Sequence, residues 1–280
     1  MWLRQLQNEL GRLFARKRTY MGLVVFLFGE GLIATLLRFA PAAHRALSRA
    51  LERGGSNPAE YFSMLTVATL MTFLLSYTLL PLFAALVGGD LVSKEVEDGT
   101  LRMVLSRPIS RGRLLIIKWL AGAIFSALLV AVLAVSGFFW GGLWFPADGK
   151  LFALLPDQVP GLLPCADGLR CFLIAHGFMV FKAVTIMSLA LMFSCCNLKP
   201  AAATILTLSI FSLDRILMEM PFFHSLRMYF LGSYLNCWEL VFVRPIPWWQ
   251  IGESASLLAG LILTFFIVGA AIFQTRDIKS

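Results

Sequence analysis

Charged residues are scarce in this chain of 280 residues. They make up 14% of the sequence, against 59% for hydrophobic residues, and the mean hydropathy is +0.79. A soluble domain of this length builds its core with far less apolar side chain, so the composition excludes an ordinary soluble fold. The sequence predicts an all-α polytopic membrane protein that forms a single transmembrane domain over residues 1–280.

Motifs for nucleotide hydrolysis and metal binding are also missing. The one Gly-Lys pair, Gly149-Lys150, is followed by Leu151 and lacks the earlier glycine that a P-loop requires. The three histidines are far apart, and none of them has HExxH spacing. We therefore predict that the chain is not an enzyme by itself and that it binds no cofactor or metal of its own.

Cysteine is infrequent, with five residues in the chain. Cys165 and Cys171 are near each other on the predicted outer side, where an oxidising compartment would favour a disulfide bridge. Cys237 is expected on the same side and would be left over. A bridge between Cys165 and Cys171, a role in metal binding and free thiols therefore all stay open at this point.

Long hydrophobic runs are what the sequence has in abundance. Each run is close to the roughly 20 residues that a membrane-spanning helix needs. Pro81 predicts a kink in the last third of the second run, because proline cannot continue the hydrogen bonding of a helix. Six spans are predicted, at residues 20–37, 62–87, 114–140, 169–195, 201–217 and 251–273.

Two segments outside these runs have the composition of membrane-surface structure. Residues 1–18 repeat apolar side chains at helical spacing opposite arginine and lysine, which predicts an amphipathic helix lying in the interface. Residues 219–249 are apolar and aromatic but interrupted by proline and glycine, so we predict interfacial or re-entrant helices between the fifth and sixth spans. Trp238, Trp248 and Trp249 are expected at the level of the lipid headgroups.

Positive charge is distributed unevenly between the two sides of the membrane. With six spans both termini share one side, and its connections hold 14 lysines and arginines against 8 on the other side. The positive-inside rule then places both termini in the cytoplasm, which predicts a multi-pass protein of the inner (cytoplasmic) membrane. Because the net charge of +8 is spread over alternate connections, we expect contact with lipid rather than with nucleic acid.

Four of the charged residues within the predicted spans are candidates for an ion pair or a substrate path. Glu30 and Lys182 are near the middle of the first and fourth spans, where a charge costs about 2.5–3.5 kcal/mol unless it is paired or hydrated. They either pair directly, as a bridge that fixes helix packing, or line an interior path for a substrate. Asp214 and Arg215, near the outer end of the fifth span, are candidates for the same path.

The densest block of charge lies between the second and third spans. The letters at 95–101 are EVEDGTL, those at 105–111 are LSRPISR, and Lys118 follows. In order and spacing this block resembles the loop between the second and third membrane helices of type-2 permeases of ATP-binding-cassette (ABC) transporters. In that family the loop carries a coupling helix that docks on a separate ATPase, so the resemblance implies a cytoplasmic coupling segment at 89–113.

The resemblance also implies roles for individual residues and partners. The docking helix would contain Glu95, Glu97, Asp98, Gly99 and Thr100, with either glutamate as the main carboxylate, and Pro108, Ser110 and Arg111 would form the turn into the third span. A second permease copy, as a homodimer, and an ATPase subunit that binds ATP and Mg are implied as partners. The implied function is export of a substrate, or transmission of force across the membrane. A membrane-embedded enzyme or assembly factor without an ATPase is the alternative.

Overall fold

The computed structural model of the chain describes residues 2–42, 45, 63–100, 110–147, 150–153 and 161–275. Its α-helices are α1 (Trp2–Ala15), α2 (Lys17–Phe39), α3 (Met64–Tyr77), α4 (Leu79–Glu97), α5 (Arg111–Trp144), α6 (Cys165–Cys195), α7 (Pro200–Glu219), α8 (Leu231–Leu235) and α9 (Trp248–Thr275). Two 3₁₀ helices, Pro221–Tyr229 and Cys237–Phe242, flank α8.

The described residues contain five to six candidate membrane-spanning helices, which agrees with the predicted all-α polytopic fold. Among the described residues, α2, α5, α6, α7 and α9 are each long and apolar enough to cross a membrane. Helices α3 and α4 cover the predicted second span; they are long and apolar enough only when taken together, and they are bent by 45° at their junction. The bend has a physical cause in Pro81, whose ring interferes with the carbonyl four residues earlier, at Tyr77, where α3 ends.

Helix α1 covers most of residues 1–18, and its position in the interface stays a prediction. Residues 219–249 contain three short helices rather than one span. Trp238, expected at the level of the lipid headgroups, is a core residue of the chain. Its side chain is fully buried against Phe73, with ring centroids 4.6 Å apart, whereas Trp248 and Trp249 are exposed. Aromatic composition alone does not separate an interfacial tryptophan from a core tryptophan, because both environments favour a large amphipathic ring.

A short hairpin was not expected from the sequence. Strand β1 (Leu151–Ala153) pairs antiparallel with β2 (Gly161–Leu163), and Leu151 lies opposite Leu163. Both leucines are buried, and Ser63, the N-cap of α3, donates to the carbonyl of Lys150 next to this hairpin. The hairpin therefore covers the start of the second span.

Helix α6 lies at the centre of the bundle, and α4 packs closely against it. A Cβ on Gly88 would lie 2.3 Å from the carbonyl oxygen of Met187, and one on Gly89 would lie 2.6 Å from Thr204 Oγ1. Only glycine allows this approach, since no other residue lacks the Cβ atom. The middle of α4, at Gly88 and Gly89, is thus held between α6 and α7.

Candidate functional sites

Four charged side chains form a cluster, the charged corner, where α1, α4 and α5 meet; three of them are buried and Arg12 lies at its exposed edge. Lys118 Nζ lies 2.6 Å from Glu9 Oε1 and 2.7 Å from Glu95 Oε1, and the lysine side chain is only 1% exposed. Arg12 completes the cluster, at 3.9 Å from Glu95 and 3.8 Å from Glu9. Two carboxylates and two cations balance in charge, so the cluster can be buried and can hold the three helices together.

Sequence reasoning missed Glu9 and Arg12 as members of this site. A signal for Glu9 does exist in the sequence, because it stands three residues after Leu6 and four before Leu13 and hence lies on the apolar stripe of α1. An acid in such a stripe indicates a buried partner. The sequence could not identify that partner as Lys118, which lies 109 residues away.

The predicted docking acids divide into a buried one and two exposed ones. Glu95 is 5% exposed and belongs to the charged corner, whereas Glu97 and Asp98 are 47% and 49% exposed. Lys94 pairs with both exposed acids, at 2.8 Å and 3.2 Å. Helix α4 runs unbroken to Glu97, so these acids end the second span and do not belong to a separate helix.

A turn follows the helix at once. Gly99 has φ of +68°, a left-handed conformation that favours glycine over any residue with a Cβ. Thr100 follows, and its hydroxyl lies 3.4 Å from the carbonyl oxygen of Glu95. We call Glu97, Asp98 and Gly99 the acidic tip, because they form the exposed end of α4.

The residues predicted in the turn into the third span have local roles in the described part of the chain. The Ser110 hydroxyl accepts a hydrogen bond from the backbone N–H of Arg113, which caps the start of α5. Arg111 donates to the carbonyl oxygen of Gln274 at 3.0 Å, at the end of α9, where a cation also interacts favourably with the helix dipole. Pro108 lies outside the described residues.

Glu30 and Lys182 do not form the ion pair that was one of the two hypotheses. The carboxylate of Glu30 is fully buried beside Ser136, whose hydroxyl donates instead to the Val132 carbonyl. Lys182 Nζ donates to Asn236 Oδ1 at 3.0 Å. Equal depth in the membrane therefore does not bring the two charges together, because they point to different parts of the bundle.

A cavity of about 450 Å³ lies beside the junction of α3 and α4. Lys182, Asp214 and Arg215, three of the four residues predicted for an interior path, line this cavity, and Glu30 does not. The other lining residues are Tyr77, Thr78, Pro81, Leu82, Ile186, Leu208, Phe211, Ser212, Ile216, Gly232, Leu235 and Asn236.

Tyr77 organises the polar groups of the cavity. The Lys182 ammonium lies 4.5 Å from the centroid of its ring, and the Arg215 guanidinium lies 4.0 Å from it. The Tyr77 hydroxyl donates a hydrogen bond to Glu239. One aromatic ring thus holds two cations through its electron-rich face, which is a cation–π arrangement.

Asp214 has a structural partner at the same site. Its carboxylate accepts hydrogen bonds from the backbone N–H groups of Leu231 and Gly232, at 3.0 Å and 2.7 Å, at the start of α8. The carboxylate therefore connects α7 to the segment between the fifth and sixth spans. Both of its oxygens are engaged by this contact.

The disulfide between Cys165 and Cys171 is not formed. All five cysteines are free, and both residues lie six positions apart on the continuous helix α6. A rise of about 1.5 Å per residue separates such Cα atoms by about 9 Å, beyond the reach of a disulfide. Burial raises the pKa of the Cys237 thiol to about 11, so this thiol stays protonated at neutral pH.

Comparison with known proteins identifies the family of this architecture. The family model described as ABC-2 family transporter protein matches residues 7–229, which include α2 to α7, the charged corner and the acidic tip. No curated protein matches the chain. The match covers well over half of the sequence, and the helices agree with a multi-pass membrane protein. The chain therefore belongs to the ABC-2 transporter family, as a membrane permease subunit.

Proposed function

We propose that this permease docks on a separate ABC ATPase through the acidic tip and moves a substrate out of the cytoplasm with the energy of ATP hydrolysed there. The observation that carries the proposal is the position of Glu97 and Asp98, exposed at the end of a membrane helix whose last turns are fixed by a buried charge cluster. An exposed carboxylate pair on a rigid support offers a compact contact to a basic groove.

The shape of α4 supports a mechanical link between the docking surface and the cavity. The helix runs from Leu79 to Glu97, and at about 1.5 Å per residue it is roughly 28 Å long. One end carries the acidic tip, and the other end is the junction with α3 beside the cavity. A displacement of the tip by the ATPase would therefore change the junction, because a straight helix transmits a push along its axis.

The charged corner would extend that displacement to two more helices. Lys118 binds both Glu9 of α1 and Glu95 of α4, so the three helix ends have to move together. In this proposal the interfacial helix, the second span and the third span act as one body. ATP and Mg bind to the partner ATPase, and the permease contributes the moving helices.

Orientation, assembly and direction are parts of the same proposal. The bias of 14 lysines and arginines against 8 supports cytoplasmic termini in an inner membrane. A homodimer of two permease copies is part of the proposal because the resemblance of the loop at 95–111 to type-2 permeases implies it. The connections on the outer side are short and leave no room for a receptor domain, which favours export over uptake.

The test is co-purification of the ATPase with a tagged chain from native membranes in mild detergent. We expect the double variant Glu97→Lys with Asp98→Lys to lose more than about tenfold of the associated ATP hydrolysis, since like charges placed across an interface cost several kcal/mol. Its amount in the membrane should not change, because both side chains are exposed.

The matched control is Glu253→Lys, which reverses another exposed acid at the opposite end of the bundle, near the start of α9. This control should retain the ATPase. Glu95 is left unchanged, because reversing its charge would break the charged corner. A loss of the ATPase could then result from misfolding rather than from a lost docking contact. Full recovery of ATPase activity with the double variant would refute docking at the acidic tip.

A further inference from the structure

We propose that the cavity beside the α3–α4 junction binds an amphiphile with an anionic headgroup, with the headgroup at Lys182 and Arg215 and the hydrocarbon chain along the apolar wall. This inference rests on the proposed transport function and names the class of substrate. The shared chemistry is a phosphate or carboxylate attached to an acyl chain, which a phospholipid or a fatty acid would supply.

Both cations of the cavity, Lys182 and Arg215, have N–H groups that can still donate a hydrogen bond to a ligand. Lys182 is almost completely buried, and of the three donors of its ammonium group Asn236 accepts one. Arg215 Nη1 is buried and has no hydrogen-bond partner among the described residues. Both cations contact the ring of Tyr77, at 4.5 Å and 4.0 Å from its centroid, so at most about 8.5 Å separates Lys182 Nζ from Arg215 Cζ.

The acids around these cations are already engaged. Asp214 accepts two backbone N–H groups, Glu239 accepts the Tyr77 hydroxyl, and Glu219 lies 3.3 Å from Arg215 at the exposed side. The residues that line the cavity carry two cations and one carboxylate, and the two further acids, Glu219 and Glu239, lie beside the cavity rather than in its lining. An incoming anion would therefore meet hydrogen-bond donors rather than free carboxylates, which is the arrangement that favours a charge-assisted contact.

The remainder of the cavity suits a hydrocarbon chain. Leu82, Ile186, Leu208 and Phe211 form an apolar wall next to the charged end. A volume of about 450 Å³ is within the range of roughly 300–1,000 Å³ that is usual for ligand sites. The exposed side chains of Leu82 and other lining residues show that the cavity opens on the lateral surface of the chain, where lipid is the surrounding solvent.

The test measures lipid binding to the purified full-length permease in detergent by native mass spectrometry. The probes are dioleoyl phosphatidylglycerol, dioleoyl phosphatidylcholine, oleate and inorganic phosphate. We expect phosphatidylglycerol to bind at least about tenfold more tightly than phosphatidylcholine, which has the same chains and no net charge. A tighter hold on oleate than on phosphatidylglycerol would support a carboxylate headgroup, and the reverse order a phosphate headgroup.

Three variants connect the binding to this cavity. Lys182→Met and Arg215→Gln should each lower the affinity for phosphatidylglycerol about tenfold and leave phosphatidylcholine unchanged. Leu208→Trp should lower the binding of both lipids, because it fills the apolar part, and it keeps the inference testable if Lys182→Met fails to fold. The control is Lys199→Met, which removes an exposed lysine from the opposite end of α7.

Equal binding of the two phospholipids, or unchanged binding in all three variants, would overturn the inference. Inorganic phosphate that binds as tightly as phosphatidylglycerol would also overturn it, because the site would then recognise a free anion. The measurement needs no ATPase. The two proposals can therefore fail separately. If the permease binds phosphatidylglycerol as expected and the double variant Glu97→Lys with Asp98→Lys still retains the ATPase, only the docking proposal fails.

Discussion

Lys118 at the charged corner and Lys182 at the cavity are both almost fully buried in long helices, but their neighbours differ. Lys118 lies between two carboxylates at 2.6 Å and 2.7 Å. Lys182 contacts an amide oxygen and the faces of Tyr77 and Trp238. A lysine with two direct carboxylate partners stabilises the fold, whereas a lysine held by neutral groups can still exchange a hydrogen bond for a ligand.

The same comparison applies to what surrounds the two lysines. The charged corner is packed, with Glu9, Glu95 and Lys118 nearly inaccessible. The second site surrounds an open volume at a bend between two helices. Burial together with full pairing identifies a structural joint, and burial beside a cavity identifies a candidate ligand site.

The largest expected effect comes from breaking the charged corner. Lys118→Met should lower the free energy of unfolding by about 3–5 kcal/mol, because it leaves Glu9 and Glu95 buried without their main cation. Lys182→Met should cost about 1 kcal/mol, the usual net value of one hydrogen bond. Thermal unfolding of both variants in the same detergent measures the difference.

A double substitution sharpens this prediction. Glu9→Gln and Glu95→Gln, added to Lys118→Met, remove the unpaired charges and should recover most of the lost stability. If Lys118→Met and Lys182→Met lower the free energy of unfolding equally, the charged corner does not stabilise the fold more than the contacts of Lys182 do.

The sequence predicts the spans well and the sites only in part. Six hydrophobic runs suffice to predict six spans, because the length and apolar content of each run decide whether it crosses the membrane. The depth of Glu30 and Lys182 follows from the same runs. Their rotation about the bundle does not, since it depends on the packing order of six helices, and this is why the proposed pairing failed.

Glu95 shows a second limit of the sequence. The motif places Glu95, Glu97 and Asp98 together, and nothing in it distinguishes the buried carboxylate from the exposed pair. The distinction arises from Lys118 and from α1, which bring a cation and an apolar surface to one face of α4. The motif therefore predicts which segment carries the docking surface. The packing of that segment decides which of its acids are exposed to a partner.

An intermediate effect is expected from the turn that ends α4. Gly99→Ala should weaken ATPase recovery several-fold, because a φ of +68° costs a residue with a Cβ roughly 1–2 kcal/mol. No atom of the described residues lies within 4 Å of the new methyl group, so the effect would report the backbone conformation. Gly252→Ala is the control, since that glycine also has open space but lies in α9 with ordinary helical geometry.

Co-purification of the ATPase with the two glycine variants measures this effect. Retention of the ATPase by Gly99→Ala at the level of Gly252→Ala would show that the left-handed turn does not contribute to docking. A loss in both variants would point to folding, which thermal unfolding would reveal.

The smallest expected effect concerns the ring that holds the two cations of the cavity. Tyr77→Leu should weaken phosphatidylglycerol binding about two- to fivefold, because the contact of the ring with the exposed guanidinium of Arg215 contributes only about 0.5–1 kcal/mol. Tyr77→Phe keeps the ring and removes only the hydroxyl that donates to Glu239. Lipid affinity in Tyr77→Phe should therefore stay at or above half of the original value. A loss with Phe as large as with Leu would assign the effect to the hydroxyl, and Lys182 and Arg215 would then be positioned through Glu239 rather than through the aromatic face.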